Sequence, residues 1–189
     1  MFLIPLLLGF ALNSASAFTA AYSRRWGERV GRWVTVLLRD VLGIPLWVLG
    51  LAMAMATPSD LVLSSGPASE VLAWLLIGAG CAEVAAGLLA LGRRAAAPSL
   101  RDTLVERGVY AWVRHPLYGG VILEFAGLAL LRPTQAVVLA CLLGIAWAPI
   151  QARLEELDLV QRMPAYRAYM ERVPRFIPRF GQPDRRPRV

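Results

Sequence analysis

Apolar residues along this chain gather into five long runs, separated by short clusters of arginine, glycine and proline. Runs of that length predict membrane-crossing helices rather than the half-buried faces of a soluble domain. The first covers about residues 2 to 21, long enough to cross a hydrocarbon core of ~30 Å at ~1.5 Å per residue. Ala15-Ser16-Ala17 has the small-residue pattern of a signal-peptide cleavage site, but no basic residue precedes the apolar stretch, so a retained span is the expectation. Arg24, Arg25, Arg29, Arg32 and Arg39 follow with Trp26 and Trp33 among them, which predicts a cytoplasmic interfacial loop with an amphipathic turn.

The second span is expected from about Val41 to Ala56, with a kink at Pro45. The segment Thr57 to Ser69 has no basic residue and carries the turn formers Ser64-Ser65-Gly66-Pro67, so it should lie outside. A third span from about Val71 to Leu91 returns the chain to Arg93, Arg94, Arg101 and Arg107 on the cytoplasmic side. Two further runs, Leu117 to Leu131 and Gln135 to Ile150, are separated only by Arg132-Pro133-Thr134 and must form an antiparallel hairpin. Each is about 22 Å long at ~1.5 Å per residue, which calls for a locally thinned bilayer or an outward-snorkelling Arg132. The predicted fold is an all-α polytopic membrane bundle of about five helices. Its N-terminus is expected outside and its C-terminus in the cytoplasm, across a bacterial-type inner membrane.

Composition agrees with that setting: 57% of residues are hydrophobic, 17% charged, and the mean hydropathy is +0.53, too apolar for an ordinary soluble domain. All 20 basic residues are arginine and the net charge is +7. Because this charge lies between apolar runs, it points to membrane orientation and anionic lipid headgroups rather than to nucleic acid. Cys81 and Cys141 fall inside apolar runs and the chain has one histidine, which makes no metal-ligand set.

That histidine stands in Arg114-His115-Pro116-Leu117-Tyr118-Gly119-Gly120. Pro116 suits the first position of a helix, so Arg114 and His115 flank a positive helix end that favours anions. The plain alternative is an interfacial Arg-His pair marking the membrane boundary. The hairpin brings this motif to the same membrane face as Glu155-Glu156, about 40 residues later. Glu155 and Glu156 can bind an ammonium while Arg114, His115 and the helix N-terminus bind a carboxylate, together matching a zwitterionic amino-acid moiety. The alternative there is a solvated acidic pair balancing Arg153 and Arg162. Tyr166 and Tyr169 share a helical face, and Pro174 and Pro178 end that helix in an extended segment. Glu83 and Glu124 lie inside predicted spans, where a functional or paired role is the default; Glu124 is a candidate substrate contact, and Arg132 a candidate partner for either.

Gly108-Val109-Tyr110, Arg114 to Gly120, Glu155-Glu156, Tyr166, Tyr169 and Val173-Pro174-Arg175-Phe176-Ile177-Pro178 occur in an order and spacing that resembles the membrane methyltransferase superfamily. That superfamily includes isoprenylcysteine carboxyl methyltransferases and phospholipid N-methyltransferases. The resemblance covers about residues 104 to 180. It implies S-adenosylmethionine as cofactor, held in a cytoplasm-facing pocket, and a lipophilic small-molecule or lipid acceptor. It places Tyr110, His115, Pro116, Leu117, Tyr118, Gly119, Glu155, Glu156, Tyr166 and Tyr169 at the cofactor and Arg114, Glu156 and Arg175 in catalysis. Met163-Pro164 departs from the glycine that members often carry before the first of these tyrosines.

The chain accordingly divides into membrane helices over 1–103, a methyltransferase core over 104–180, and a disordered tail over 181–189. The runner-up is an NADPH-dependent sterol-reductase-like oxidoreductase, disfavoured because Leu117 and Gly119-Gly120 replace the expected polar and aromatic residues and no lysine is present. A non-catalytic lipid-binding module is the third possibility.

Overall fold

A computed structural model describes residues 1–64, 66–92, 99–100 and 102–179. The expected disordered tail, Arg93, Arg94 and Arg101 lie outside the described residues. The fold is an all-α bundle: α1 (Leu3–Ala15), α2 (Thr19–Trp26), α3 (Glu28–Val36), a π-helical segment (Leu37–Gly43), α4 (Ile44–Ala56), α5 (Pro67–Leu91), α6 (Pro116–Leu131), α7 (Gln135–Arg162) and α8 (Tyr166–Arg172). Among the described residues, three helices are long and apolar enough to cross a membrane, Glu28–Ala56, Pro67–Leu91 and Gln135–Arg162, and α1 with α2 makes a fourth if counted as one bent span.

The first expected span is broken. Between α1 and α2 the chain bends by 63°, at the Ala15-Ser16-Ala17 segment. Polar side chains replace the lost helical bonds: Ser16 Oγ donates to the Asn13 carbonyl at 2.6 Å and Tyr22 Oη to the Ala15 carbonyl at 2.8 Å. The buried Asp158 carboxylate of α7 accepts the Ala20 N–H at 2.7 Å, satisfying one of the donors that open α2.

The expected interfacial loop over residues 24–39 is also corrected. From Glu28 onward it is helix and continues through the π segment into α4. Arg29, Arg32 and Trp33 point outward while Gly31 and Thr35 are buried, so the amphipathic pattern belongs to one side of a long helix. The predicted kink at Pro45 takes the form of the π segment just before it. Proline has no N–H to donate back along the helix, and the preceding backbone adopts wider winding.

The third span starts at Pro67, earlier than expected, because Ser69 Oγ accepts the Gly66 N–H at 2.8 Å and donates to the Gly66 carbonyl at 2.7 Å. The hairpin of α6 and α7 turns at Arg132-Pro133-Thr134 as predicted. Its tip meets the 57–66 loop: the Val62 N–H donates to the Pro133 carbonyl at 2.7 Å and the Gln135 N–H to the Asp60 carbonyl at 2.9 Å. Both loops therefore lie at one end of the bundle.

Close backbone approach holds the helices together. A Cβ on Gly80 would stand 2.5 Å from the Gly120 carbonyl oxygen, and one on Gly120 would stand 2.6 Å from that of Gly80, so α5 and α6 touch through backbone. On the other side, Phe10 of α1 stacks on Trp147 of α7 with ring centroids 4.6 Å apart, and Trp47 meets Phe125 edge-on at 6.0 Å. Glu83 rests its carboxylate against Gly119, and the Glu124 stem packs on Gly80. Both acidic residues thus sit at the α5–α6 contact.

Gly80→Val should push α5 off α6 and lower stability by about 1–3 kcal/mol, read as a drop in melting temperature in detergent. Gly78→Val, which faces open space, should leave it unchanged.

Candidate functional site

The end of the bundle opposite the hairpin tip holds a cavity of about 440 Å³, within the range of small-molecule sites. α6 begins at its edge, with His115 at the N-cap position and Pro116 in the first turn. α7 runs past Ile150 to Arg162, so Glu155 and Glu156 lie on the helix itself. Adjacent residues on a helix diverge by about 100°. The two carboxylates consequently serve different neighbours.

Glu156 is fully buried and surrounded by cations. Its Oε1 accepts from Arg114 Nη2 at 2.8 Å and Arg114 Nε at 3.1 Å, and lies 3.2 Å from His115 Nε2. Arg175 donates Nη2 to Oε2 at 2.6 Å and Nε to Oε1 at 3.1 Å. These charge-assisted bonds keep the buried carboxylate ionised, and the Glu156 hydrogen bond in turn pushes the Arg175 guanidinium above its ordinary value. This corrects the expectation that Arg114 and His115 offer an anion site across from a Glu155-Glu156 cation site. Arg114, His115 and Glu156 satisfy each other. Arg114, Glu156 and Arg175 thus form a brace.

The same brace lays the C-terminal segment in place. Arg114 Nη1 donates to the carbonyls of Met170, at 2.8 Å, and Val173. The backbone N–H groups of Arg114 and His115 donate to the carbonyls of Pro174 and Arg175 at 2.9 and 3.0 Å. Tyr169 Oη closes the arrangement by donating to the Tyr110 carbonyl at 2.6 Å.

Glu155 faces the cavity. It accepts from Tyr118 Oη and from Gln151 Nε2, the latter at 3.3 Å. Tyr110, Arg114, His115, Leu117, Tyr118, Glu155, Tyr166 and Tyr169 line the cavity, so eight of the residues singled out by sequence come together there. Pro116, Gly119, Glu156, Arg175 and Glu124 are not on its wall. Gly119 backs onto Glu83 and Pro116 onto Gly87, because α5 occupies that side of α6. The glycines of the motif admit a neighbouring helix rather than a ligand.

Burial pushes the Tyr166 and Tyr169 hydroxyls well above the ordinary tyrosine value, so both are neutral donors. Among the described residues the buried Tyr166 hydroxyl has no hydrogen-bond partner, at a residue on the cavity wall. A buried polar atom without a partner costs about 1–3 kcal/mol, which a bound ligand would recover.

Several wall residues carry no motif signal. Asp158 and Asp102 share Arg162, at 2.6 Å and 2.9 Å, and Thr19 and Thr35 meet at 3.0 Å. Arg39 and Asp40 enter from the π segment. The only local cue for the last pair was two charges within an apolar run.

Glu156→Ala would leave Arg114, His115 and Arg175 facing a buried void. Stability should fall by about 3–5 kcal/mol, and limited trypsin digestion should cut at Arg175 faster than in the unaltered protein.

Residues 94–161 match the family model described as isoprenylcysteine carboxyl methyltransferase (ICMT) family. The cobalt-zinc-cadmium resistance protein CzcN of Cupriavidus metallidurans is 35% identical over 83 residues, which are 42% of this chain and 38% of that protein. The match therefore spans well under half the length of that curated relative. No solved structure matches. The resemblance carried by the motifs is borne out: residues 94–161 are similar to the isoprenylcysteine-carboxyl-methyltransferase family.

Proposed function

We propose that this chain is an integral membrane methyltransferase that binds S-adenosylmethionine in the cavity between α6, α7 and α8 and acts on a lipophilic acceptor. The observation that carries the reading is the convergence of Tyr110, His115, Tyr118, Glu155, Tyr166 and Tyr169 on one cavity, joined to the family match over residues 94–161. The donor set suits the cofactor. Glu155 is a carboxylate bonded to the neutral donors Tyr118 and Gln151, which suits a cationic group, and the orphaned Tyr166 hydroxyl suits an acceptor atom on a polar ligand.

When bound, S-adenosylmethionine supplies a methyl group on a positively charged sulfur. The chain's own contribution is positioning and electrostatics. Tyr118 and Gln151 fix the Glu155 carboxylate, Tyr166 and Tyr169 close the cavity from α8, and the Glu156 brace keeps α8 and the C-terminal segment against the motif. CzcN is named for cobalt-zinc-cadmium resistance. The methyl-transfer reading rests on the family match and on the donors that line the cavity.

We place the cavity end in the cytoplasm. Arg24, Arg25, Arg29, Arg32, Arg153 and Arg162 flank that end, while the 57–66 loop at the other end has no basic residue. Reporter fusions at Met1 and after Arg179 should then report opposite sides of the membrane.

Calorimetry on the protein in detergent should show S-adenosylmethionine binding. Glu155→Gln, which keeps the shape and removes the charge, should weaken it about tenfold. Tight NADPH binding with none of the methyl donor would overturn this reading in favour of an oxidoreductase.

A further inference from the structure

S-adenosylmethionine is charged and water-soluble, so on the reading above it must reach the cavity from the aqueous side rather than through hydrocarbon. The cavity wall is not uniform. Helices supply most of it, but four consecutive wall residues, Asp102, Thr103, Leu104 and Val105, belong to none. Thr103 is exposed while Val105 is buried, so this stretch separates the cavity from solvent.

The backbone does little to hold it there. Among the described residues, Thr103 to Glu106 make no backbone hydrogen bond, and segments without such bonds open at low free-energy cost. Side chains do the holding instead. Leu104 packs against the cluster of Tyr166, Tyr169 and Val173. Asp102 accepts from Arg162 Nη1 and from the Ser99 N–H, each at 2.9 Å, and Arg162 is itself fixed by Asp158 at 2.6 Å.

The ion pairs along the stretch are unequal. At Asp102 the carboxylate is 18% exposed and its guanidinium partner 7%, so salt screens that pair weakly. At Glu106 the carboxylate takes Arg172 Nη2 of α8 at 3.0 and 3.1 Å, with the two side chains 39% and 31% exposed, the setting in which an ion pair is weakest. Beyond it, Gly108 turns the chain at φ +62°, a conformation that glycine adopts without strain, and Tyr169 holds the Tyr110 carbonyl at 2.6 Å. The weak pin therefore lies between two firm ones.

We propose that residues 103–107 form a flap over the mouth of the cavity, latched by Glu106 and Arg172, which opens to admit S-adenosylmethionine and to release its demethylated product. Asp102 and Tyr110 stay in place while the flap lifts and Leu104 leaves Tyr166 and Tyr169. That the traffic is this cofactor rests on the methyl-transfer reading above. The flap and its latch do not. A latch also differs from a binding contact in its kinetics. Weakening a latch raises the open fraction with and without ligand, so association and dissociation quicken together and affinity is kept. Losing a contact speeds dissociation alone.

The test uses the full chain in a non-ionic detergent, carrying Val105→Cys together with Cys81→Ser, so that the native thiol left, Cys141, is buried. A water-soluble maleimide should then label the introduced thiol when the flap opens. Glu106→Gln and Arg172→Gln should each quicken labelling about threefold. Raising the salt from about 0.05 M to about 0.5 M should quicken it in the latched protein and not in these two variants. The swapped pair, Glu106→Arg with Arg172→Glu, should restore the slow rate, which controls for a folding role. In the protein without the cysteine changes, stopped-flow exchange of S-adenosylmethionine should show association and dissociation both about threefold faster in Glu106→Gln, with Kd unchanged. Labelling unmoved by both single variants, or faster dissociation with a matching loss of affinity, would overturn the proposal. Labelling that follows the latch with no S-adenosylmethionine binding would support the flap and sink the methyl-transfer reading instead.

Discussion

A single buried carboxylate organises the C-terminal half of this molecule. Glu156 has no exposed surface, and an ionised carboxylate in that position is tolerated only when its charge is met by partners within hydrogen-bond distance. Those partners come from two distant parts of the sequence, Arg114 and His115 ahead of α6 and Arg175 beyond α8. Meeting the charge therefore requires the hairpin to close and the C-terminal segment to return. Once it has returned, backbone bonds from Arg114 and His115 to Pro174 and Arg175 hold it there, and the two tyrosines of α8 become a wall of the cavity.

The rest of the bundle supplies the space that this brace closes. Glycine contacts let α5 and α6 approach backbone to backbone, while the aromatic cluster of Phe10, Trp47, Phe125 and Trp147 fills the middle of the bundle around α1, α4, α6 and α7. At one end the hairpin tip is sewn to the 57–66 loop by backbone hydrogen bonds. At the other, the bend between α1 and α2 and the π segment before α4 put polar residues where straight helices would have carried them past. Asp158 links the two halves, taking the Ala20 N–H and Arg162 together.

Much of this was legible from residue patterns. The hairpin followed from a three-residue connection between two apolar runs, and the start of α6 from Pro116. The helical face of Tyr166 and Tyr169 is seen as an edge-on ring pair with centroids 5.4 Å apart. The different fates of Glu155 and Glu156 were not legible, since both are acidic and adjacent and only their angular separation on α7 tells them apart. Nor was the helical state of residues 28–39. Arginines in that stretch read as a loop, whereas they occupy the outward side of a helix whose inner side is Gly31 and Thr35.

Apolar run lengths, arginine placement and the order of motifs by themselves determined that this is an all-α membrane protein, where its helical hairpin turns, and which family it resembles. Those properties depend on local sequence and on the bilayer as solvent, so they are written residue by residue. Tertiary structure alone decided which carboxylate is structural and which faces the cavity, where the first helix breaks, and that Arg39 and Asp40 share a wall with His115 and Tyr118. Each of those depends on pairing between residues far apart in the chain or on backbone winding that departs from the regular helix. Such pairings arise only when buried charges and orphaned backbone groups must find partners.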